Sequence, residues 1–451
     1  MRASEFHPMR LIARRDLFAR FGPLARKAAG LSGMTAAGQL TFVLALPLLS
    51  RQFTPADFGL FTIYLSIVNI CGPIAGLKFD SALYGAASRE HARPILALAM
   101  VTILVLSLCA AAALNQFGAR LPGALAPASA TLGLLTPLGV LLAGLWAATS
   151  AWAVRCNAMK TLALARFMQP TTMTALQLAA GLAGGSAVSL IVAHLISHVL
   201  YSSFILLRTL RASEVREVFC PPLSQLRRKA EENRRFPLYV MPAHVASQMV
   251  SNAPPILLGS LFGAEIAGLV GMAYRLVLAP VAVISLSLGH IFTSEVCGGA
   301  GTRAVKALAR KILLVSVVFV CLPILAFGAL APSFAGLLLG AKWAATGQIC
   351  FAFSIFAAAQ ALAAPFVEIT SIYRFQIMRF TAELSTCALV FGAIFFGARM
   401  DIGALATIWL MSAAGAAGTL AGLAFVWAGF KSRLAKREAE ALDGVAPAAT
   451  S

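Results

Sequence analysis

The chain has 451 residues, of which 59% are hydrophobic and only 12% are charged, whereas about a quarter of the residues are charged in an ordinary soluble domain. Together with a mean hydropathy of +0.84, this leaves too little polar surface for a water-soluble globule and predicts an integral membrane protein. The net charge of +19 does not indicate nucleic-acid binding, because the basic residues are spread over loops beside helices and no DNA- or RNA-binding motif accompanies them.

Apolar runs of membrane-spanning length follow one another along the chain. A helix needs about 20 apolar residues to cross the hydrocarbon core. In chain order the predicted spans are Leu31–Ser50, Phe58–Leu77, Ile95–Leu114, Leu132–Val154, Phe167–Ala187, Val188–Leu207, Phe236–Phe262, Ile266–Glu295, Ile312–Ala331, Ile349–Tyr373, Phe380–Ala398 and Ile402–Phe430. The sequence therefore predicts an all-α polytopic membrane protein with about twelve transmembrane helices.

Lys and Arg residues are concentrated in alternate gaps between these spans. Thirty-one of the 36 lie before the first span, in every second gap after it, or in the tail. The remaining gaps hold Arg51, Arg120, Lys342 and Arg399, and Arg275 lies inside a span. Because loops rich in Lys and Arg stay on the cytoplasmic side, we expect both termini in the cytoplasm and an even number of helices.

The longest charged gap, residues 208–235, divides the spans six and six. A weak repeat supports two halves, because Phe53 precedes Gly59 by six residues, Phe262 precedes Gly268 by six, and Leu follows each Gly. Repeat-built transporters bind substrate between their halves, near the midplane. We expect a cytoplasmic basic arm (1–30), a first six-helix bundle (31–207), a cytoplasmic linker (208–235), a second six-helix bundle (236–430) and a cytoplasmic tail (431–451).

The cysteines and histidines predict neither a metal site nor a bound cofactor. Each of the eight cysteines is more than twenty positions from the next, so there is no C-x-x-C pair. His194 and His198 lie four residues apart on one predicted helix. That spacing suits either a ligand pair or hydrogen bonds between helices.

Two blocks of sequence carry a family resemblance. The first is Pro47-Leu-Leu-Ser-Arg51-Gln-Phe-Thr-Pro55-Ala-Asp57-Phe-Gly59-Leu, followed by Gly72-Pro73 and Leu77-Lys78-Phe-Asp80-Ser-Ala82. The second contains Phe236-Pro237-Leu-Tyr239, Leu261-Phe-Gly263, Gly268 and Tyr274-Arg275-Leu276. From about residue 31 to 430 the chain resembles bacterial polysaccharide-biosynthesis membrane proteins, the Wzx-type flippases of the multidrug/oligosaccharidyl-lipid/polysaccharide exporter superfamily.

The resemblance implies a transporter without covalent chemistry. Two six-helix bundles around a central cavity would carry an undecaprenyl-diphosphate-linked oligosaccharide repeat unit from the cytoplasmic to the periplasmic leaflet of the bacterial inner membrane, by alternating access. The product would be a surface polysaccharide: the O-antigen of lipopolysaccharide, a capsule or an exopolysaccharide. Implied partners are this lipid-linked oligosaccharide, membrane lipid, a polysaccharide polymerase, a chain-length regulator, and Na⁺ or H⁺, but no nucleic acid.

Two alternatives to this function stay open at the level of sequence. A drug or metabolite cation-coupled antiporter of the same superfamily would share the twelve-helix architecture. A membrane glycan polymerase or glycosyltransferase would normally need an acidic catalytic site or a substantial extramembrane loop, whereas the longest predicted periplasmic gap is the sparsely charged segment 115–131.

Arg275 is the sharpest candidate for substrate binding. A charge at a helix centre costs about 2.5–3.5 kcal/mol on insertion scales and usually faces a cavity or a partner. The planar guanidinium suits a diphosphate through its fork of donors. The alternative is a structural ion pair with Glu368 or Glu383.

Further candidates lie at the two ends of the second span. Lys78 would meet the diphosphate at the cytoplasmic end and Arg51 would lie near its release, at different stages of transport. Equally, the neighbours Asp80 and Asp57 could form basic–acidic pairs with them that pin a helix end or a gate.

Acidic and amide side chains complete the candidate set. Glu368 and Glu383 lie in or beside predicted spans and are possible ion-coupling residues, because an acid in a membrane helix is by default a candidate cation or proton site. A possible sugar path is formed by the amide side chains Gln39, Asn69, Gln248 and Asn252. Hydrogen bonding between helices is the alternative role of each of these amides.

Overall fold

The computed structural model describes residues 33–117, 129–297, 302–367 and 376–442, and these are almost wholly helical. The first half contains α1 (Gly33–Gln52), α2 (Pro55–Ala75), α3 (Phe79–Ala82), α4 (Arg89–Phe117), α5 (Ser129–Arg155), α6 (Met159–Leu182) and α7 (Ala187–Thr209). Next come α8 (Ala212–Phe219) and α9 (Leu223–Glu232). The second half contains α10 (Met241–Phe262), α11 (Ala264–Cys297), α12 (Thr302–Ser316), α13 (Leu322–Leu339), α14 (Thr346–Val367), α15 (Gln376–Arg399) and α16 (Ala404–Leu442).

Twelve long helical segments correspond to the twelve predicted spans. Nine segments in the described part of the chain are long and apolar enough to cross a membrane by length and composition. The other three, α6, α10 and α11, have 24, 22 and 34 residues. At about 1.5 Å per residue each exceeds the ~30 Å hydrocarbon core. The prediction of an all-α polytopic membrane protein with two bundles around a central cavity is confirmed.

Several helix boundaries differ from those predicted from hydropathy. Helix α4 begins at Arg89, so basic residues assigned to a gap lie in its first turns. Helix α6 begins at Met159, eight residues before the predicted Phe167. The charged gap between the halves is itself mostly helical, in α8 and α9. Hydropathy marks only the lipid-embedded part, whereas backbone hydrogen bonding continues into amphipathic turns whose long basic side chains reach water.

Helix α8 is anchored to the start of α4 by a buried carboxylate. Glu214 is 0% exposed and accepts hydrogen bonds from Arg89 Nε at 2.7 Å and Arg93 Nε at 3.1 Å. The Arg89 guanidinium also lies 5.2 Å from the Trp152 ring centroid. The hydrogen bond from Arg89, followed by the backbone N–H of Arg211, lowers the pKa of Glu214 to about 2. The charged linker is therefore docked on the first bundle.

The two bundles meet where α2 crosses α11, at a point that only glycine permits. A Cβ added to Gly59 would lie 1.7 Å from the carbonyl oxygen of Ala264, and one added to Gly268 would lie 1.8 Å from that of Pro55. These backbones are therefore in direct contact. The two glycines are the equivalent positions of the weak sequence repeat, so the repeat marks the closest approach of the halves.

Side chains of α1, α2 and the loop after α13 close this end of the molecule, which we call the Pro55 end. The Trp343 indole N–H donates to the carbonyl oxygen of Ser50 at 2.8 Å, and its ring lies edge-on to Phe58, with centroids 5.4 Å apart. Lys342 Nζ donates to the carbonyl oxygen of Arg51 at 3.3 Å. The opposite end, where α2 ends, is called the Lys78 end.

Replacement of the buried carboxylate should undock the linker. Glu214→Gln removes the buried carboxylate that Arg89 and Arg93 share and leaves Arg93 only the exposed Glu217, so we expect a loss of about 3 kcal/mol in detergent-solubilised thermal unfolding. Because the folded pKa of Glu214 lies below its ordinary value of 4.5, this stabilisation is complete above about pH 4.5 and is lost as the pH falls towards 2. Glu217→Gln is the control, since Glu217 is 56% exposed and should contribute at most about 1 kcal/mol. Equal stability of the two variants would contradict the anchoring role.

Adding one methyl group at the helix crossing should open the Pro55 end. Gly268→Ala meets a backbone atom, and overpacking costs about 1–3 kcal/mol, so the ratio of closed to open molecules should fall at least about fivefold. In a cysteine-free background, thiol cross-linking between Arg51→Cys and Lys342→Cys measures closure. Gly392→Ala is the matched control, because nothing lies within 4 Å of its Cβ position. Unchanged cross-linking in Gly268→Ala would refute the crossing as the closing contact.

Candidate functional site

A cavity of about 480 Å³ lies between the two bundles. Helices α1, α2, α5, α6 and α7 line it from the first bundle, and α10 and α11 line it from the second. Its polar lining includes Gln39, Thr62, Asn69, Gln169, His194, His198, Asn252 and Arg275. Among the described lining residues, Arg275 is the one Lys or Arg and there is no Asp or Glu. The cavity therefore has a positive wall and favours an anionic ligand.

Arg275 is held in this cavity by aromatic rings. Its Cζ lies 5.7 Å from the ring centroid of Phe42, 5.8 Å from that of Phe58 and 5.6 Å from that of Phe61. Such cation–π contacts partly replace the hydration of a buried guanidinium. One N–H, on Nη1, donates to Thr62 Oγ1 at 3.2 Å. Since a guanidinium has five N–H donors, this arrangement leaves capacity for a ligand.

Arg275 has no carboxylate partner in the described part of the chain. Glu383 accepts a hydrogen bond from Arg379 Nε at 2.8 Å, on its own helix α15. The predicted alternative of an Arg275–Glu383 ion pair is therefore wrong. Glu368, the other acid considered as a partner and as an ion-coupling residue, lies outside the described residues.

Arg275 lies well inside its helix, about three turns from the start of α11. It is eleven residues from the start of α11 at Ala264, or about 16 Å along the helix axis. The hydrocarbon core is about 30 Å thick. A span that began at Ala264 would place the guanidinium about half-way across this core, where unpaired charge is most costly.

Three of the four predicted amides form one contact between α2 and α10. Asn69 Nδ2 donates to Asn252 Oδ1 at 3.3 Å, and Gln248 Nε2 donates to the carbonyl oxygen of Asn69 at 2.7 Å. Asn69, Asn252 and Gln39 also line the cavity, whereas Gln248 does not. Asn69 and Asn252 thus combine the interhelical role with a position on the cavity wall, whereas Gln39 has only the second and Gln248 only the first.

The remaining basic and acidic candidates lie at the two ends of α2, away from the cavity lining. Lys78 Nζ lies 3.6 Å from Asp80 Oδ2, and burial raises the pKa of Asp80 despite that cation. Asp57 forms a capping box with Thr54 instead of pairing with Arg51, which is exposed. Lys78–Asp80 is therefore the predicted basic–acidic pair that forms.

Asp57 also joins the two neighbouring helices. Its Oδ1 accepts the N–H of Ala187, the first residue of α7, at 3.0 Å, while its Oδ2 accepts the N–H of Thr54 at 3.1 Å. This carboxylate therefore fixes the start of α2 against the start of α7.

A second cavity, of about 240 Å³, lies within the second bundle between α10, α14, α15 and α16. The Arg379–Glu383 ion pair and Gln360 line it. Glu383, a possible ion-coupling residue, thus lines this second cavity, which meets the central one at Ser251, and already has a basic partner.

Sequence reasoning missed the aromatic residues around Arg275. Phe58 and Phe61 are three apart on α2 and present their rings on one helix face, which is a readable signal. Phe42 comes from α1 and meets the same guanidinium only through tertiary packing. Gln169 of α6, which lines the cavity, carried no signal in the sequence.

Solved structures share this fold. A multidrug resistance MATE family transporter of the MOP superfamily, in an inward-facing conformation, superposes with a TM-score of 0.68 at 14% identity over 88% of this chain and 96% of that chain. The lipid II flippase MurJ, in an inward closed conformation, gives a TM-score of 0.71 at 15% identity over 88% of this chain and 87% of that chain. A mutant of the Vibrio cholerae MATE transporter VcmN gives 0.57 at 14% identity over 92% and 98%.

The sequence comparison identifies a family. No curated protein sequence matches the chain. The family model described as "Polysaccharide biosynthesis protein" matches residues 48–348, which include the first bundle after its opening residues, the docked linker and the Arg275 helix. The match covers most of the chain and agrees with the fold of the MOP superfamily neighbours. The chain is therefore a multi-pass membrane protein of the polysaccharide biosynthesis protein family.

Proposed function

We propose that this protein is a flippase that moves an undecaprenyl-diphosphate-linked oligosaccharide repeat unit from the cytoplasmic to the periplasmic leaflet of the bacterial inner membrane, for O-antigen, capsule or exopolysaccharide biosynthesis. The observation that carries the proposal is the mid-membrane guanidinium of Arg275, which lines an interbundle cavity without a carboxylate partner among the described residues. Family membership and the fold shared with a lipid II flippase support it.

The headgroup of such a substrate explains a lone cation at this depth. A diphosphate cannot enter hydrocarbon without counter-charge or hydrogen-bond donors, because its desolvation is prohibitively costly. Arg275 supplies both, while amide and hydroxyl groups on the wall can bind sugar. A cationic drug would be repelled by the same guanidinium, which disfavours the antiporter alternative.

Transport in this proposal occurs by alternating access. The Gly59–Gly268 crossing and the Trp343 contacts close the Pro55 end. The positive-inside rule makes that end periplasmic, with both termini and the linker 208–235 cytoplasmic. The headgroup would then pass Lys78 first and leave past Arg51, and Na⁺ or H⁺ would supply the driving force. A polymerase and a chain-length regulator would act on the product.

Thiol labelling tests this orientation. In a cysteine-free background, Ser224→Cys in α9 should react with an impermeant maleimide only after the cells are permeabilised, because the linker is cytoplasmic. Met400→Cys, 57% exposed after α15, is the matched site on the periplasmic side and should react in intact cells. The reverse pattern would invert the topology.

The function is tested by the lipid-linked oligosaccharide pool of a deletion strain. We expect loss of the surface polymer and accumulation of undecaprenyl-linked units at the cytoplasmic face, both reversed by the wild-type gene. An intact polymer and an unchanged pool would contradict the flippase and direct attention to other exported compounds. Accumulation at the periplasmic face would indicate the polymerase alternative.

The same strain tests the role of Arg275. Arg275→Ala removes charge-assisted hydrogen bonds worth about 1.5–3 kcal/mol, so flux should fall about ten- to a hundredfold at unchanged membrane abundance. Arg275→Lys keeps the charge without the planar fork and should retain intermediate flux. The exposed Arg399→Ala is the control and should behave as wild type. Full flux in Arg275→Ala would remove this residue from the site.

A further inference from the structure

Two histidines in ring contact lie on the first-bundle side of the cavity. His194 and His198, which we call the histidine pair, are 6% and 8% exposed, and their ring centroids are 4.2 Å apart. His198 is eleven residues from the start of α7 at Ala187, or about 16 Å along the axis. The histidine pair therefore lies at the same depth as Arg275, on the opposite bundle, and both line one cavity.

Hydrogen bonds fix which nitrogen of His198 is free. Its Nδ1 lies 3.1 Å from the backbone carbonyl oxygen of His194 and 3.4 Å from Gln169 Nε2, which makes its shorter contact, at 3.0 Å, with Ser197 Oγ. Because a carbonyl oxygen only accepts, Nδ1 carries the hydrogen and donates it. The neutral ring therefore keeps its lone pair on Nε2, which is the atom that can take up a proton. His194 in turn bonds the Tyr64 hydroxyl through Nδ1, at 3.1 Å.

No described group around the histidine pair supplies a negative charge. Helix α2 presents Tyr64, α5 presents Trp146 and α6 presents Gln169, whose Nε2 donates to Ser197 Oγ at 3.0 Å. Helix α11 presents the cation Arg275, and the described lining residues of α1 and α10 are uncharged. An imidazolium here would face Arg275 across the cavity and no carboxylate.

The Phe61 ring contacts both Arg275 and His194 of the histidine pair. The Phe61 centroid is 5.6 Å from Arg275 Cζ and 6.5 Å from the His194 centroid. Burial of the two rings disfavours an imidazolium here, and a second positive charge at Arg275 adds repulsion in a low-dielectric site, so the histidines are neutral while no anion lies beside Arg275. An anion bound beside Arg275 reverses the sign of the local field and favours the imidazolium.

We propose that the histidine pair is the first-bundle half of an anion site: it takes up one proton when a diphosphate headgroup binds Arg275, and the two bundles then hold the anion between an imidazolium and a guanidinium. This rests on the proposed function for the class of ligand. The proton comes from a hydronium ion of the solvent: its O–H bond breaks, leaving water, as an N–H bond forms at His198 Nε2, and no other bond changes. By linkage, the anion raises the proton affinity of the histidine pair by the same factor as the proton raises the affinity for the anion.

The test is binding of farnesyl diphosphate to the detergent-solubilised full-length chain between pH 5.5 and 8.5. Calorimetry in buffers of different ionisation enthalpy also counts the protons taken up. Wild type should bind more tightly as the pH falls, with the histidine pair adding up to about tenfold per pH unit, because one proton is linked. His198→Gln should lose that part of the slope and the associated proton uptake, and only the titration of the ligand itself should remain.

His91→Gln is the matched control, because His91 is exposed and hydrogen-bonded to Ser88 outside the cavity, and it should keep the wild-type slope. Thermal unfolding checks the fold of each variant. Should His198→Gln not fold, His194→Gln replaces the other ring of the pair and should flatten the slope as well.

The outcomes separate the two proposals. Binding by wild type with the same slope and proton uptake in His198→Gln would overturn the histidine pair as an anion site and leave the flippase standing. Absence of binding at every pH, in wild type as in Arg275→Ala, would overturn both. A steeper slope in wild type than in His198→Gln, with binding weakened at all pH values in Arg275→Ala, is the expected result.

Discussion

A cation at the centre of a membrane must find compensation for its lost hydration, and this requirement organises the middle of the structure. Arg275 meets it with three phenylalanine rings and one hydroxyl rather than with a carboxylate. A permanent ion pair would neutralise the site and leave nothing to attract an anion. Aromatic faces stabilise the guanidinium more weakly, so they keep it available. The first bundle therefore supplies the cage, through Phe42, Phe58 and Phe61, for a charge that belongs to the second.

The features of the fold that depend on residues close together in the sequence could be predicted from it. Apolar length fixes the number of helices, and the repeat around Gly59 and Gly268 marked the halves, although not that the two glycines touch. The docking of α8 could not be predicted, because a buried Glu214 depends on Arg89 and Arg93, more than a hundred residues away. Helix ends such as that of α6 were misplaced, since hydropathy reports lipid contact and not backbone hydrogen bonding.

The candidate site shows the same limit. Arg275 was recognisable alone, because a charge inside an apolar span is conspicuous in any sequence. Its partners were not recognisable. Whether Arg275 pairs with Glu383 depends on whether that carboxylate already has a partner, and in the structure Arg379 of the same helix, α15, is that partner. The histidines were visible as a four-residue spacing, but their position facing Arg275 follows from how α7 packs against α2. The spacing of residues on one helix can be recognised in the sequence. Residues that face each other across a cavity come from distant parts of the chain, and their proximity cannot.

Phe58 joins the closed end of the molecule to the cavity. Its ring lies edge-on to Trp343, whose indole binds the backbone of α1 at Ser50, and the same ring lies 5.8 Å from the Arg275 guanidinium. Separation of the bundles at the Pro55 end must break the first contact, while an anion that draws the guanidinium towards itself disturbs the second. Because packed interiors shift between discrete arrangements and do not stretch, a change at either contact bears on the position of the same side chain. Phe58 is therefore the residue at which the closed Pro55 end and the cavity wall meet.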